Sequence, residues 1–88
     1  MGVNILRLDK YLKVSRLIKR RTVANDACDK ERVSVNGRTV KASYNVKPGD
    51  IIEIQFAKSP ITVEVLTVLE HVRAEDASAM YREITRQD

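Results

Sequence analysis

The dipeptide Asn36-Gly37, inside the stretch VSVNGRTV, restricts the fold of this chain more than any other short segment. Both residues can adopt the positive φ that a type I′ turn needs, and the flanking residues alternate, so the stretch predicts a β-hairpin. We expect its strands near 33–35 and 38–41. Because such a turn joins antiparallel strands, the chain must contain at least a small antiparallel sheet.

Before the hairpin, apolar residues recur with a helical period instead. Spacing of i, i+3, i+4 and i+7 predicts a short helix over 8–14 with one inward stripe. A second helix is predicted over 21–30, where small residues share one face. The first stripe consists of Leu8, Tyr11, Leu12 and Ser15, and the second of Ala24, Ala27 and Cys28. In the connection between the helices we expect Leu17 and Ile18 to turn inward, while Arg16, Lys19 and Arg20 stay in water.

After the hairpin the pattern predicts more strands and a final helix. The stretch KPGD at 47–50 predicts a tight turn, because Pro48 presets one central residue and Gly49 permits positive φ at the next. It leads into a strand over 51–56, followed by a strand over 61–69. Alternation places Ile52, Ile54 and Phe56 on one face of the first of these strands.

The tail predicts a helix from about 74 to 86, because acids lie in its first turn, bases in its last and apolar residues along one stripe. The order of elements is then helix, helix, hairpin, strand, strand and helix. This order predicts the α+β class, with a small and mainly antiparallel sheet and a C-terminal helix.

Positive charge is concentrated in one segment. The stretch RLDKYLKVSRLIKRR, Arg7 to Arg21, holds seven bases and one acid, a net charge of +6, whereas the rest of the chain holds nine bases and eleven acids, −2. Such a localised excess attracts polyanions. A merely solvated charged face is the alternative. The bases are not interleaved with acids, however, and they flank a loop where they can converge on one side.

Three stretches in fixed order resemble a known family. The family is the S-four RNA-binding domain, named for a small-subunit ribosomal protein. The similar stretches lie within residues 7–56 and read RLDKYL, RRTVANDACDKERVSVNG and KPGDIIEI. The resemblance implies an αL RNA-binding motif of two helices and a β-hairpin, in a single domain over 1–88 whose C-terminal strand and helix span 61–86. Two positions depart from the family pattern. Arg20 stands where a serine usually caps the second helix, and Glu31 where a glycine usually ends it.

Other stretches narrow the resemblance to small stand-alone members of the family. These stretches resemble the quality-control and heat-shock members, which the family picture places on obstructed large ribosomal subunits. They read KVSRLIKRRTVA, VKASYNVKPGD and EDASAMYREI. The implied function is non-catalytic binding of large-subunit rRNA, and also of tRNA, in support of C-terminal tailing of stalled nascent chains. The implied partners are that rRNA, peptidyl-tRNA and a quality-control tailing factor, with a monomeric protein away from the ribosome. An accessory module that binds RNA or DNA without any link to stalled ribosomes is the alternative.

The resemblance also ranks the candidate RNA-binding residues. Arg7 and Arg21 fall on motif positions and rank first, although Arg7 could instead form an ion pair with a nearby acid. Asp9 is interpreted as a local structural partner rather than a catalytic acid. Gly37 serves the turn, whose tip could also approach RNA. The predicted RNA-binding residues are Arg7, Lys10, Lys13, Arg16, Lys19, Arg20 and Arg21, and further hairpin contacts would come from Asn36, Arg38 and Lys41.

Other functional classes fit less well. The sequence has no nucleophile–base set, no glycine-rich nucleotide loop and no Cys/His spacing for a metal, so we expect neither catalysis nor a cofactor. It has no signal-peptide pattern and no stretch near the ~20 apolar residues of a membrane span, which favours a cytoplasmic protein. Cys28 is expected to be buried, and His71 to lie at the surface or at a strand end. Charge alone leaves a DNA-binding module open.

Overall fold

A computed structural model of the chain describes residues 5–56 and 59–84. These residues form two short α-helices, seven short strands and one 3₁₀ helix. The elements in chain order are β1 (Leu6–Arg7), α1 (Leu8–Val14), α2 (Arg21–Asp29), β2 (Val33–Val35), β3 (Arg38–Thr39), β4 (Asn45–Val46), β5 (Ile51–Gln55), β6 (Pro60–Val65), the 3₁₀ helix (Ala74–Met80) and β7 (Tyr81–Glu83).

Within the described residues the larger sheet has five antiparallel strands in the order β3-β2-β5-β6-β7. At its centre, Ile52 of β5 lies opposite Val35 of β2 on one side and Val63 of β6 on the other. All three side chains are buried. A separate antiparallel ladder joins β1 to β4, with Leu6 opposite Val46. The arrangement agrees with the α+β class and the mainly antiparallel sheet predicted from the sequence.

The two helices contribute to the same hydrophobic core as the sheet. The helix predicted over 8–14 is confirmed at both ends, and the one predicted over 21–30 ends one residue earlier, at Asp29. In their connection Ile18 is buried and Leu17 is half-buried, as the sequence predicts. The buried side chains of the two helices are Leu8, Asp9, Tyr11, Leu12, Ala24 and Cys28, and Ser15 is buried directly after α1.

The C-terminal region differs from the helix predicted over 74–86. A helix does begin at Ala74, but it is a 3₁₀ helix and it ends at Met80. The chain then extends into β7, which pairs with the edge of the sheet so that Tyr81 lies opposite Val65. Positions 85 and 86 lie outside the described residues. The predicted apolar stripe is partly right, because Ala77 and Met80 are buried.

Hydrogen bonds to one carbonyl tie the end of this helix to the sheet and to α1. The Met80 carbonyl accepts the backbone N–H of Leu66 at 2.8 Å and that of Thr67 at 3.2 Å. It also accepts the phenol of Tyr11 at 2.9 Å, in the buried interior. Burial, with a smaller contribution from Tyr81, raises the pKa of Tyr11 far above its ordinary value. The C-terminal region therefore packs on its own domain and on α1.

The prediction that Phe56 lies in the core is wrong. Ile52 and Ile54 of the same predicted face are buried, but Phe56 is 39% exposed. The strand ends at Gln55, whose partner Pro60 is the first residue of the next strand. Phe56 has therefore left the ladder and borders a shallow apolar groove beside α2.

Two predicted strands are shorter in the structure. The strand predicted over 61–69 begins at Pro60 and ends at Val65, whose N–H donates to the Asp50 carbonyl at 2.8 Å, directly before β5 begins. The second hairpin strand, predicted over 38–41, ends at Thr39.

Both predicted turns are present. Asn36 and Gly37 have φ values of 54° and 85°, as a type I′ turn requires. In the second turn Gly49 has a φ of 93°, and the N–H of Asp50 donates to the Lys47 carbonyl at 3.1 Å. The Asn36 side-chain amide donates to the buried Asp50 carboxylate at 3.1 Å. One acid therefore ties the two turns together.

The second helix ends at a left-handed residue that is not glycine. Glu31 has a φ of 60°. Its N–H donates to the Cys28 carbonyl at 3.0 Å, and the N–H of Arg32 donates to the Ala27 carbonyl at 2.9 Å. These two bonds form a Schellman motif. Since a Cβ makes this conformation about 1–2 kcal/mol less favourable, Glu31 is strained at a helix end that glycine usually occupies.

The substitution Glu31→Gly should therefore stabilise the protein. We expect the free energy of unfolding to rise by about 0.5–1 kcal/mol, the relieved strain less the entropy that glycine adds to the unfolded chain. Urea denaturation measures the difference. Lys30→Gly is the matched control, because Lys30 has a φ of −88° and should lose stability when replaced. Destabilisation by both substitutions would contradict the strain at Glu31.

Candidate nucleic-acid interface

The start of α1 brings one carboxylate and two guanidinium groups together. Asp9 lies in the first turn with its side chain only 3% exposed. Arg7, just before the helix, donates from Nε to Oδ1 and from Nη2 to Oδ2 of Asp9, both at 3.3 Å. Arg21, the first residue of α2, approaches the same carboxylate with Nε 3.4 Å from Oδ2 and Nη2 3.5 Å from Oδ1. The two highest-ranked sequence candidates therefore meet on one buried acid.

Two further donors complete the surroundings of this carboxylate. The backbone N–H of Lys10 donates to Oδ1 of Asp9 at 2.8 Å, and the side-chain amide of Asn25 donates to Oδ2 at 3.3 Å. Asp9 thus joins the N-terminal turn of α1 to the first turns of α2. We call Arg7, Asp9, Arg21 and Asn25 the Asp9 cluster.

The electrostatics of the Asp9 cluster keep its acid ionised. Burial by itself raises the pKa of the Asp9 carboxyl, but hydrogen bonds from Arg7, Asn25 and Arg21, together with the charge of Arg21, outweigh it and hold that pKa below its ordinary value. Arg7 and Arg21 still expose 50% and 45% of their side chains. The cluster therefore presents two held guanidinium groups, with one excess positive charge, to the solvent.

The other predicted bases divide into two groups. Lys10 is engaged, because its Nζ lies 3.2 Å from Oε1 of Glu70. The other four are exposed and form no ion pair with any described residue. These four are Lys13, Arg16, Lys19 and Arg20. As the sequence predicts, Arg20 precedes α2 without a side-chain capping bond.

The hairpin candidates lie in different surroundings. Asn36 is occupied within the fold, since its amide donates to Asp50 and its Oδ1 accepts the N–H of Ile51 at 3.0 Å. Lys41 lines a groove that Arg7 also borders, between α2 and the segment after β3. Arg38 is exposed on β3 and does not line this groove.

Sequence reasoning missed some residues that the fold brings to this surface. Asn25 lies four positions after Arg21, so helical spacing alone could have placed the two on one face of α2. By contrast, His71, interpreted as a surface residue, lines a pocket with Arg16 and Lys19. No local pattern signals that contact, because more than 50 positions separate His71 from these two bases.

Three further observations concern the thiol, metal ligation and membrane spanning. Cys28 is buried, and burial, with smaller contributions from Asp9 and Asp29, raises the pKa of its thiol to about 11. A thiol of this kind is a poor nucleophile at neutral pH. Across residues 5–56 and 59–84, no three metal-ligating side chains lie close enough to hold an ion. In the same ranges no helix is both long and apolar enough to cross a bilayer.

Comparisons with known proteins confirm the family resemblance. The model of the S4 domain matches residues 6–52. A protein of Halalkalibacterium halodurans, named RQC P-site tRNA stabilizing factor, is 53% identical over 76 residues, 86% of either chain. The Bacillus subtilis protein of the same name is 49% identical over 76 residues, 86% of this chain and 88% of that one.

A solved structure supports the fold in the same way. Heat Shock Protein 15 of Vibrio cholerae, solved as a trimer, matches with a TM-score of 0.85 and 30% identity over 91% of this chain and 82% of its own. These matches confirm both the resemblance stated from the sequence and the α+β fold class.

Replacement of the buried acid tests the Asp9 cluster. Asp9→Asn removes the charge between two guanidinium groups and turns one acceptor into a donor, so we expect a loss of about 1–3 kcal/mol of stability at pH 7. Because the folded pKa of Asp9 lies below the ordinary value of 3.8, its contribution is present above that pH and is lost as the pH falls through the folded pKa. The difference between wild type and variant should therefore shrink towards pH 3.

Chemical denaturation at pH 7 and pH 3 measures both effects. Asp26→Asn is the matched control, since Asp26 is exposed on α2 and, among the described residues, forms its ion pair with Lys30 across one helical turn. It should change stability by less than about 0.5 kcal/mol. A difference between wild type and Asp9→Asn that does not depend on pH would contradict the ionised role of Asp9.

Proposed function

Since this chain belongs to the S4 domain family, we propose that it is a non-catalytic RNA-binding protein whose basic face, residues 7–21, binds large-subunit rRNA. The observation that carries the proposal is the Asp9 cluster. Each guanidinium has five N–H donors and turns one edge to the buried carboxylate. Its other edge remains half-exposed and available to phosphate oxygens.

A held guanidinium is well suited to this task. A free arginine on a surface loses side-chain entropy when it binds phosphate, and its planar fork must be oriented for two parallel hydrogen bonds. Asp9 has already oriented Arg7 and Arg21 in the folded protein. We propose that these two arginines make the directional contacts, to phosphates or to the faces of unstacked bases.

The exposed bases beyond the cluster would supply general affinity. Each lysine or arginine that neutralises a phosphate releases condensed counterions, which gives strong binding with little sequence preference. In this proposal Lys13, Arg16, Lys19 and Arg20 have this role, with Lys10 partly engaged by Glu70. Arg38 and Lys41 would contact RNA at the hairpin side, whereas the amide of Asn36 serves the turn first.

The names of the relatives support a more detailed proposal. Proteins about 50% identical over most of this chain are named RQC P-site tRNA stabilizing factor. We propose that this chain likewise acts in the cytoplasm on obstructed large ribosomal subunits, contacts peptidyl-tRNA in addition to rRNA, and supports C-terminal tailing together with a tailing factor.

Away from the ribosome we propose a monomer. The solved Vibrio relative is a trimer, so the two states give threefold different masses. Light scattering of the free chain should give a mass near 10.0 kDa. A mass three times larger would contradict the monomer.

Crosslinking in cells followed by sequencing of the bound RNA tests the ligand. We expect large-subunit rRNA with the wild-type chain and a strong loss with Arg7→Ala/Arg21→Ala. The matched control is Lys30→Ala/Arg82→Ala, which removes the same charge from ion pairs outside the basic face. It should retain the crosslinks. Preferential recovery of messenger RNA or DNA would contradict the proposal, as would an equal loss in both double variants.

Salt dependence gives a quantitative second measurement. The slope of log affinity against log salt should become shallower by roughly two in Arg7→Ala/Arg21→Ala, one for each lost phosphate contact. Arg7→Lys/Arg21→Lys keeps the charge of the Asp9 cluster and therefore distinguishes the loss of phosphate contacts from a loss of folding. We expect it to restore most of the slope but less of the affinity, because lysine has no planar fork.

A further inference from the structure

A pocket is formed where the C-terminal half of the chain returns to the basic segment. Residues 70–72 lie across from the end of α1 and the connection to α2, and the two segments enclose an open pocket of about 180 Å³. This volume corresponds to roughly six water molecules, enough room for a phosphate group. The pocket is lined by Lys13, Val14, Arg16, Lys19, Glu70, His71 and Val72.

The charges around this pocket are unbalanced. Lys13, Arg16 and Lys19 form no ion pair with any residue of the described ranges 5–56 and 59–84. On the opposite wall, Oε1 of Glu70 accepts a hydrogen bond from Nζ of Lys10 at 3.2 Å. Three cations therefore line the pocket, and its one lining carboxylate, that of Glu70, is already paired with a fourth cation, Lys10.

The end of α1 fixes where Arg16 enters the connection to α2. Arg16 has a φ of 66°, the left-handed conformation that side chains with a Cβ disfavour. Its N–H donates to the Lys13 carbonyl at 3.1 Å, and the N–H of Ile18 donates to the Leu12 carbonyl at 3.1 Å. Buried Ile18 anchors this tight turn. Arg16 thus ends α1 in the conformation that Glu31 has at the end of α2, and this turn sets the direction in which Arg16 leaves the helix.

We infer that residues 70–72 form the second wall of an RNA phosphate pocket, in which His71 donates to the phosphate and Glu70 limits affinity by holding Lys10. The imidazole of His71 is exposed and offers a ring N–H opposite the three cations. Glu70 competes with phosphate for Lys10 and adds a negative charge beside the bound anion. The inference rests on the proposed RNA-binding function and extends it to a segment that neither the family match, at residues 6–52, nor the basic stretch includes.

The pocket favours a phosphate of the RNA backbone over a free anion, because it is open and continues the basic face. Helix α1 has seven residues and spans about 10 Å between the Asp9 cluster and this pocket. A few nucleotides of backbone cover that distance. One strand could then contact both sites, each through phosphate.

Titration of full-length variants with poly(U) RNA over a series of salt concentrations tests the inference. Glu70→Gln should bind roughly threefold to tenfold more tightly than wild type at 0.1 M salt, with a slope against log salt steeper by about one, because Lys10 is released. Glu64→Gln is the matched control. It removes the same charge from another exposed ion pair, with Arg82, and should change affinity by less than about twofold.

His71→Glu should weaken binding to poly(U) at least as strongly as Glu70→Gln strengthens it, with an unchanged circular dichroism spectrum because the residue is exposed. Equal effects of Glu70→Gln and Glu64→Gln would show a response to net charge alone and overturn the inference. An unchanged affinity of His71→Glu would also overturn it. Displacement of poly(U) by low-millimolar inorganic phosphate at constant ionic strength would identify a free-anion site and overturn it likewise.

Poly(U) separates this inference from the proposed function. Failure of the wild-type chain to bind purified large ribosomal subunits would refute the ribosomal role, yet the comparison of Glu70, His71 and Glu64 variants on poly(U) would still decide whether the pocket binds phosphate. Conversely, if the Glu70 and His71 variants bind ribosomes as tightly as wild type does, the Asp9 cluster remains the contact and residues 70–72 are not part of it.

Discussion

The arrangement of the basic face depends on one buried carboxylate. A charge as buried as that of Asp9 is costly unless its oxygens are fully satisfied. Here they accept bonds from Arg7, from the Lys10 N–H and from Asn25, with Arg21 close by. Because these donors come from both helices, the same contact fixes how α1 meets α2 and where two guanidinium groups face the solvent. The same contact therefore sets part of the fold and part of the basic face.

A second buried acid has the same role among the turns. Asp50 accepts the amide of Asn36, the phenol of Tyr44 at 3.0 Å and the backbone N–H of Lys47 at 3.1 Å. The hairpin and the turn before β5 are thereby held at one end of the sheet. Among the described residues, Asp9 and Asp50 are the buried acids, and each links segments that are distant in sequence. Such directional bonds favour one arrangement more strongly than apolar packing alone.

The C-terminal region closes the molecule and completes the basic surface. The Met80 carbonyl draws Tyr11 of α1 and the backbone after β6 to one point. In the chain between these anchors, residues 70–72 lie beside the connection that carries Arg16 and Lys19. Packing at Met80 thus brings His71 and Glu70 to the basic segment. A stretch that looks unrelated to binding in the sequence contributes to the surface through tertiary contacts.

The sequence by itself determined the local elements, because they depend on neighbouring residues. Helical spacing predicted α1 to the residue, Asn36-Gly37 predicted the hairpin turn, and motif positions selected Arg7 and Arg21. Tertiary structure decided what depends on distant partners. The stripe of Ala77 and Met80 suits an α-helix or a 3₁₀ turn equally well, and only the sheet edge beside Val65 made the next residues a strand. Phe56 alternates correctly yet lies beyond the last paired residues of its ladder, so it is exposed. Likewise, Asp9 contacts Arg21 and Asn25 only because folding places α2 against α1.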